Sequence, residues 1–597
     1  MNMLTPKLAF SLRPTVLMVF LLSSFVLSYH AQSSIAKLNN ARVHNLSNGK
    51  GYSTIQEAIN APETMDGHEI FAASGIYYEH VTINKSLSLV GENRDTTIID
   101  GKGAGTVVYV TADNVEIRNF TIQNGISSLW LDRSQNSKII GNTLQIGYYG
   151  IRLHHSRNVE VTDNNVNKYT KFGVELYLSG NSKLRNNKMT DNKYNFRVDG
   201  TSISDFINAI DTSNTVNGKP VRYLINQHNV TIDSSTFQEL GYLALVNSTN
   251  IKVQNLSVQD NAQGVLFAFT ANSTISNVNA KNNWDGIYVA HSQNILVSYN
   301  NANRNFDYGI KFFNSSHSLA FGNNVDNNGW AGIGLFRSPN STVDGNEANF
   351  NTYNLHLVYT NNSVITRNNA QSKPYGYSIA VYYSHNNVIY HNMFVNRLLY
   401  VETRNWTRFT PRNSWDNSLE GNFWSSYRGV DADQDGIGDT AYVIGENNAD
   451  NHPLMGKFSN FTVTLEAKTY TITIISNSTI SQFQFSPEEE SVSFIATGFN
   501  ETMGFSRVAI PNALLQELEG GNLTFWINWE QPPLQRKWTD GINTYLYFSY
   551  VNRVSEQTIS PWVIAAVASV LLTASVIVFF VLKKQHRVRS TSGSEKE

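Results

Sequence analysis

Short runs of alternating apolar and polar residues recur along the middle of this chain, each bounded by Asn or Gly. Gly150-Ile151-Arg152-Leu153, Gly173-Val174-Glu175-Leu176, Gly286-Ile287-Tyr288-Val289 and Gly332-Ile333-Gly334-Leu335 are examples. They keep a beat of near 22 residues. Asn136, Asn158 and Asn181 mark it, then Asn250, Asn272, Asn294, His317, Asn340, Asn362 and Asn386 after a break. Six residues into each unit a second Asn returns: Asn142, Asn164, Asn187, Asn300, Asn323, Asn346, Asn368 and Asn392. A fixed period of this length means a stacked solenoid in which each unit leans on its neighbours.

A leucine-rich repeat has a similar period, but these units are poor in Leu and rich in Asn, Gly, Ile and Val. The pattern predicts an all-β fold: a right-handed parallel β-helix, the pectin-lyase-like solenoid, with three short strands per coil. Identical residues then stack at ~4.8 Å, so inward Asn amides should hydrogen-bond in ladders. About 13 coils would make a stack on the order of 60 Å long. An open end needs a cap. Ser53-Thr54-Ile55-Gln56 has a capping-box pattern, and Ile55, Ala58 and Ile59 form an apolar helical face over the first coil.

The expected order is a signal peptide over 1–31, the β-helix over 51–410 and an Asp/Gly-rich module over 411–456. A β-sandwich over 458–555, a transmembrane helix over 562–582 and a cytoplasmic tail over 583–597 follow. One coil is interrupted near 201–229 by a loop excursion, and solenoids often bind ligands on the face carrying such loops. The leader reading rests on Lys7 and Arg13 before the apolar run from Val16 to Leu27. The anchor reading rests on an uncharged run followed by Lys583, Lys584, Arg587 and Arg589.

Composition fits an extracytoplasmic life. There is no Cys, so neither disulfides nor thiolate metal sites exist. A net charge of -2 with 15% charged residues argues against a nucleic-acid surface. About fifteen Asn-x-Ser/Thr acceptors occur, among them Asn229, Asn247, Asn272, Asn314, Asn405 and Asn522.

Candidate chemistry is concentrated in three places. Asp431, Asp433, Asp435, the Ile437 carbonyl and Asp439 alternate around Gly436 as oxygen ligands for calcium. An EF-hand would carry Glu at the position of Tyr442, so a remote Asp450 would have to complete the shell. Aromatics precede the Gly of many coils, and Tyr149, Trp284, Tyr308, Trp330 and Tyr353 are the expected platform for sugar rings. Turn packing is the competing reading. Glu175 with Arg152 and Arg197, beside His154 and His155, could support catalysis, as could Asp285 with Asp307 and Lys311. Each reads equally as a surface ion pair, and no three acids share one phase, so the catalytic residues stay unassigned.

Several segments resemble the NosD-type family of periplasmic copper-binding β-helix proteins, in the versions found on archaeal cell surfaces. The entry runs from Tyr52 through Ile59 to Gly75-Ile76-Tyr77 and Ile98-Ile99-Asp100-Gly101. The insertion Asp211 to Val221 and the exit Gly421-Asn422-Phe423-Trp424-Ser425-Ser426-Tyr427 carry the likeness further, as does Asn451-His452-Pro453-Leu454-Met455. The resemblance implies a surface β-helix and, by the family's name, copper. The residues speak against copper, since 14 His are scattered and no Cys is present. The expected function is a membrane-anchored surface protein that binds polysaccharide or envelope glycans, or serves as an adhesive component. A carbohydrate-active enzyme (lyase, hydrolase or epimerase) and a metal-delivery protein are the alternatives.

Overall fold

The computed structural model describes residues 42–395, 398–401, 412–489, 491–518, 524–527, 536–552 and 573–581. The expected signal peptide and the tail lie outside these residues, as do Asn405 and Asn522. The described chain forms two compact units. The first holds the residues up to Ile225 with Glu239–Val246 and Asp260–Ala262; the second holds the remainder.

Each unit contains a parallel β-solenoid, and both solenoids are built from columns of apolar side chains one coil apart. In the first, Ile70, Leu89, Ile117, Ile139, Val161, Leu184 and Ile210 are in register on successive strands, all buried. A second column runs Val108, Leu129, Ile151, Val174 and Phe196. In the second unit Val253, Ile275, Val297, Ala320, Val343, Ile365 and Ile389 stack likewise. Each column is the inward half of an alternating strand, so period two in sequence becomes one continuous core.

The two Asn series do different work. The second series is buried and forms the expected ladders. Asn142 Nδ2 donates to Asn164 Oδ1, Asn164 to Asn187, and Asn187 to Asn214. In the second unit one ladder runs Asn300, Asn323, Asn346, Asn368, Asn392 and Asn422. Every rung points the same way, and at the end of the ladder Asp450 Oδ2 stands where the next Asn Oδ1 would, accepting from the Asn422 backbone N–H at 2.7 Å. The first series sits at coil corners with φ between +50° and +58°. Asn recurs there because its short polar side chain tolerates the left-handed conformation.

The segment near 201–229 does not leave the stack as a loop. It holds a short helix, Ile203–Phe206, and a hairpin of Thr215–Val216 with Lys219–Ile225. Ala209–Ile210 and Thr215–Val216 still pair with the preceding coil. Asn214 keeps a ladder position, which is why the coil survives the insertion. At the entry, the helix Ile55–Asn60 buries Ile55, Ala58 and Ile59. Its cap is Thr54, whose side chain accepts from Glu57 N–H, one residue later than the sequence pattern suggested.

Beyond the solenoid the strands are antiparallel. Lys457–Leu465, Lys468–Ser476, Met503–Pro511, Asn543–Val551 and Arg536–Thr539 form one sheet. Thr479–Ser486, Ser491–Phe499, Thr573–Val581 and Thr524–Ile527 form another. Val463, Ile472 and Phe548 share a buried cluster with Val492, Phe494 and Ala496. The expected transmembrane helix needs correction over its described part: Thr573–Val581 is a strand between Ser491–Phe499 and Thr524–Ile527. Its run Val576-Ile577-Val578-Phe579-Phe580 is β-branched and aromatic, which favours a pleated strand. Among the described residues no helix is long and apolar enough to cross a membrane.

Candidate functional site

In the second unit, strands Asp285–Ala290, Tyr308–Phe313, Ala331–Phe336, Tyr353–Val358 and Tyr377–Tyr382 stack in parallel. The register Ile287↔Ile310 and Tyr308↔Ala331 sets Trp284, Asp307 and Trp330 at one position of three successive coils. Trp284 Nε1 donates to Asp307 Oδ2 at 3.3 Å. Phe306 packs on Trp284 with ring centroids 4.4 Å apart. Trp330 is 44% exposed and Phe306 49%, while Trp284 is half-buried. Tyr353 lies beside Trp330 at 5.1 Å and stacks on Tyr377 at 5.2 Å. The result is a face of aromatic rings with one carboxylate set among them.

Tyr308 does not join that face. It is buried, and its hydroxyl lies 3.1 Å from His356 Nδ1. The ring reaches across Gly334, where a Cβ would come within 2.7 Å of it. His356 is enclosed by Tyr308, Phe336, Tyr353 and Tyr382. Burial pushes its pKa down to about 4, so the imidazole is neutral at pH 7. Lys311 lies 3.8 Å from Asp285 and is flanked by the Tyr288 and Tyr308 rings.

Tyr149 belongs to the first unit, near the charged cluster. There Glu175 is 3% exposed and accepts from Arg152 Nε at 3.1 Å and Arg197 Nη1 at 2.9 Å. His154 Nε2 lies 3.1 Å from the same carboxylate. Burial opposes ionisation of Glu175. The His154 contact and the charges of Arg197 and Arg152 outweigh it and hold the pKa down at about 2. His155 stays outside this network, beside Tyr177.

Asp431, Asp433 and Asp435 each bring a ligand oxygen within 4.8 Å of the others. Gly436, at φ +82°, makes the bend. Burial raises the pKa of Asp431 and Asp435, and the neighbouring carboxylates add to it. Arg536 lies 2.9 Å from the Asp433 carboxylate, and Arg507 Nη1 donates to the Asp435 carbonyl. These arginines come from a strand sheet 72 and 103 residues further along the chain, and no local motif announced them. Outside this group, Ile437 lies opposite Leu454 in an antiparallel bridge, and Asp439 Oδ2 accepts from Ala432 N–H. Asp450 does not complete the shell. It accepts from Asn422 and from Trp424 Nε1, and burial pushes its pKa up to about 6.

Of the acceptor asparagines, Asn229, Asn247 and Asn272 are exposed at coil corners, and Asn314 is half-buried beside His291. Corner positions leave room for a bulky substituent.

A model of the NosD family, described as periplasmic copper-binding protein, matches residues 61–209 and 223–429. A cell surface glycoprotein of Methanothermus fervidus is 34% identical over 106 residues, 18% of this chain and 18% of that protein. The chain thus covers under two thirds of that relative's length. Among solved structures, the A-module of a mannuronan C-5 epimerase from Azotobacter vinelandii is 13% identical with a TM-score of 0.23. That match covers 60% of this chain and 92% of that one. A pectin methylesterase bound to a hexasaccharide is 12% identical with a TM-score of 0.22, covering 41% and 86%. Superpositions this loose carry no argument; the fold rests on the strand register above.

Proposed function

The chain belongs to the NosD family, and we propose that it is a cell-surface β-solenoid that binds glycans across Trp284, Asp307 and Trp330. The observation that carries this reading is the half-exposed aromatic face with a carboxylate between its two tryptophans. Pyranose rings have apolar faces that suit such rings, and their hydroxyls can donate to Asp307. The likeness to a cell surface glycoprotein supports the location. So do the exposed acceptors Asn229, Asn247 and Asn272, for which we expect glycosylation. A glycan array followed by calorimetry on the full chain tests the reading. Trp330→Ala should weaken binding by about 2 kcal/mol while melting stays unchanged. Equal affinity would reduce the face to turn packing.

One further element belongs to this proposal. Calcium held by Asp431, Asp433 and Asp435 would brace the loop that Arg507 and Arg536 contact. A melting temperature indifferent to calcium and to chelator would remove the ion.

Copper does not suit the residues described. Among them, the three aspartates are the one group of three or more His, Cys, Asp or Glu whose ligand atoms converge. That all-oxygen set favours a hard cation over copper. His154 is engaged by Glu175 and His356 is boxed by rings, so neither imidazole is part of a cluster.

A further inference from the structure

Five successive strands of the second unit begin at Asp285, Tyr308, Ala331, Tyr353 and Tyr377. The residues just before them are Trp284, Asp307, Trp330, Thr352 and Gly376. Backbone bonds carry this position from coil to coil. Asp307 N–H donates to the Trp284 carbonyl at 2.8 Å, and Trp330 N–H to that of Asp307 at 3.0 Å. The register Ala331↔Tyr353↔Tyr377 continues it through Thr352 to Gly376. Beside Gly376 stands Tyr375, which is 93% exposed. A tight turn carries it, with φ +65° at Tyr375 and Gly376 N–H donating to the Lys373 carbonyl at 2.8 Å.

Along the stack the position therefore alternates between ring and small polar group. Each tryptophan is braced by a second ring, Trp284 by Phe306 at 4.4 Å and Trp330 by Tyr353 at 5.1 Å. The coils between carry Asp307, which accepts from Trp284 Nε1, and Thr352, whose Oγ1 donates to the Gly329 carbonyl at 2.7 Å. Neither puts bulk between the platforms. With coils ~4.8 Å apart, Trp284, Trp330 and Tyr375 recur about every 9.6 Å. A single sugar would use one platform and leave the repeat without purpose. In an extended, ribbon-like polysaccharide each pyranose is turned about half a turn from the last. Alike faces then recur at every second sugar, a length close to two coils.

We propose that this face binds an extended polysaccharide running from coil to coil, with alternate sugars stacked on Trp284, Trp330 and Tyr375. The sugars between them pass over Asp307 and Thr352, where hydroxyls meet polar groups. The inference rests on the glycan reading of Trp284, Asp307 and Trp330, and adds the shape of the ligand, its direction and Tyr375. A chain that curls cannot reach all three platforms at once.

The test is calorimetry on the full chain with cellohexaose, chitohexaose and mannohexaose, each beside its own disaccharide, and with maltohexaose, whose chain curls. At least one ribbon hexamer should bind about tenfold more tightly than its disaccharide, and maltohexaose should show no such gain over maltose. Tyr375→Ala should lower hexamer affinity about fivefold and leave disaccharide binding unchanged. The ring lies outside the core, so the melting temperature should hold. Trp330→Ala removes the middle platform and should lose more. Equal affinity of hexamer and disaccharide, an equal gain by maltohexaose, or no binding by any ribbon hexamer would overturn the proposal. So would hexamer binding that Tyr375→Ala leaves unchanged. Disaccharide binding that Trp330→Ala still abolishes would, in those cases, keep the glycan face and remove only the chain. Binding indifferent to Trp330→Ala would remove both.

Discussion

The outward sides of corresponding strands differ sharply between the two solenoid units. In the first unit the column beside the buried aliphatics reads Glu116, Lys138, Glu160 and Lys183 on consecutive coils. Lys183 lies 3.3 Å from Glu160, and Arg118 lies 3.0 Å from Glu116. In the second unit the outward column reads Leu296, Leu319, Thr342, Val364 and Val388. Behind both, the inward columns are the same: aliphatic side chains and polar ladders. The coil is therefore held by what points inward, and the outer faces are free to diverge. The glycan face lies on such outward positions, where exposed side chains such as Trp330 can change at little cost to the stack.

The exception to this division is Glu175, an outward group that is itself buried and paired with two arginines, and its removal should have the largest effect. Glu175→Ala leaves Arg152 and Arg197 without their shared carboxylate and should cost the first unit about 3–5 kcal/mol in denaturant unfolding. Its unfolded pKa is about 4.3, above the folded value of about 2. The stabilisation is thus complete above about pH 4.3 and is lost as pH falls toward 2. A loss under about 1 kcal/mol would mean that the guanidinium groups are solvated.

Breaking a ladder should cost nearly as much, and equally in both units. Asn164→Leu and Asn346→Leu each strip an acceptor from one buried amide and a donor from the next. About 3 kcal/mol is expected for either. Unequal costs, read by hydrogen exchange in each unit, would show that the inward columns are not equivalent. The smallest effect should come from giving the first unit the outer face of the second. Lys138→Leu with Glu160→Val should change stability by less than about 1 kcal/mol and reduce its salt dependence. A larger loss would mean that the ion column helps hold the coil.

Much of the fold was legible because a solenoid repeats its constraints. Asn142, Asn164 and Asn187 announced a ladder by spacing alone, and Ile55, Ala58 and Ile59 announced the entry helix. The corner role of Asn136 and its series was not legible, since the same residue type serves left-handed corners and buried ladders. At the candidate sites, spacing found Trp284, Trp330 and the three clustered aspartates. It could not separate exposed Trp330 from buried Tyr308, because Gly334 on the next coil decides where the Tyr308 ring goes. Nor could it find Arg536 beside Asp433, or assign Asp450 to the end of an amide ladder.

What the sequence by itself determined is the coil: its period, its inward aliphatic columns and its Asn rungs, all set by local alternation repeated many times. What only the tertiary structure decided is which outward side chains meet. Arg536 and Asp433 are 103 residues apart along the chain, yet their charged groups lie 2.9 Å apart. Thr573–Val581, apolar enough to suggest a helix, became a strand because two others flank it in a sheet. Periodicity fixes the direction in which a side chain points, but its partners depend on register between segments that the sequence does not compare.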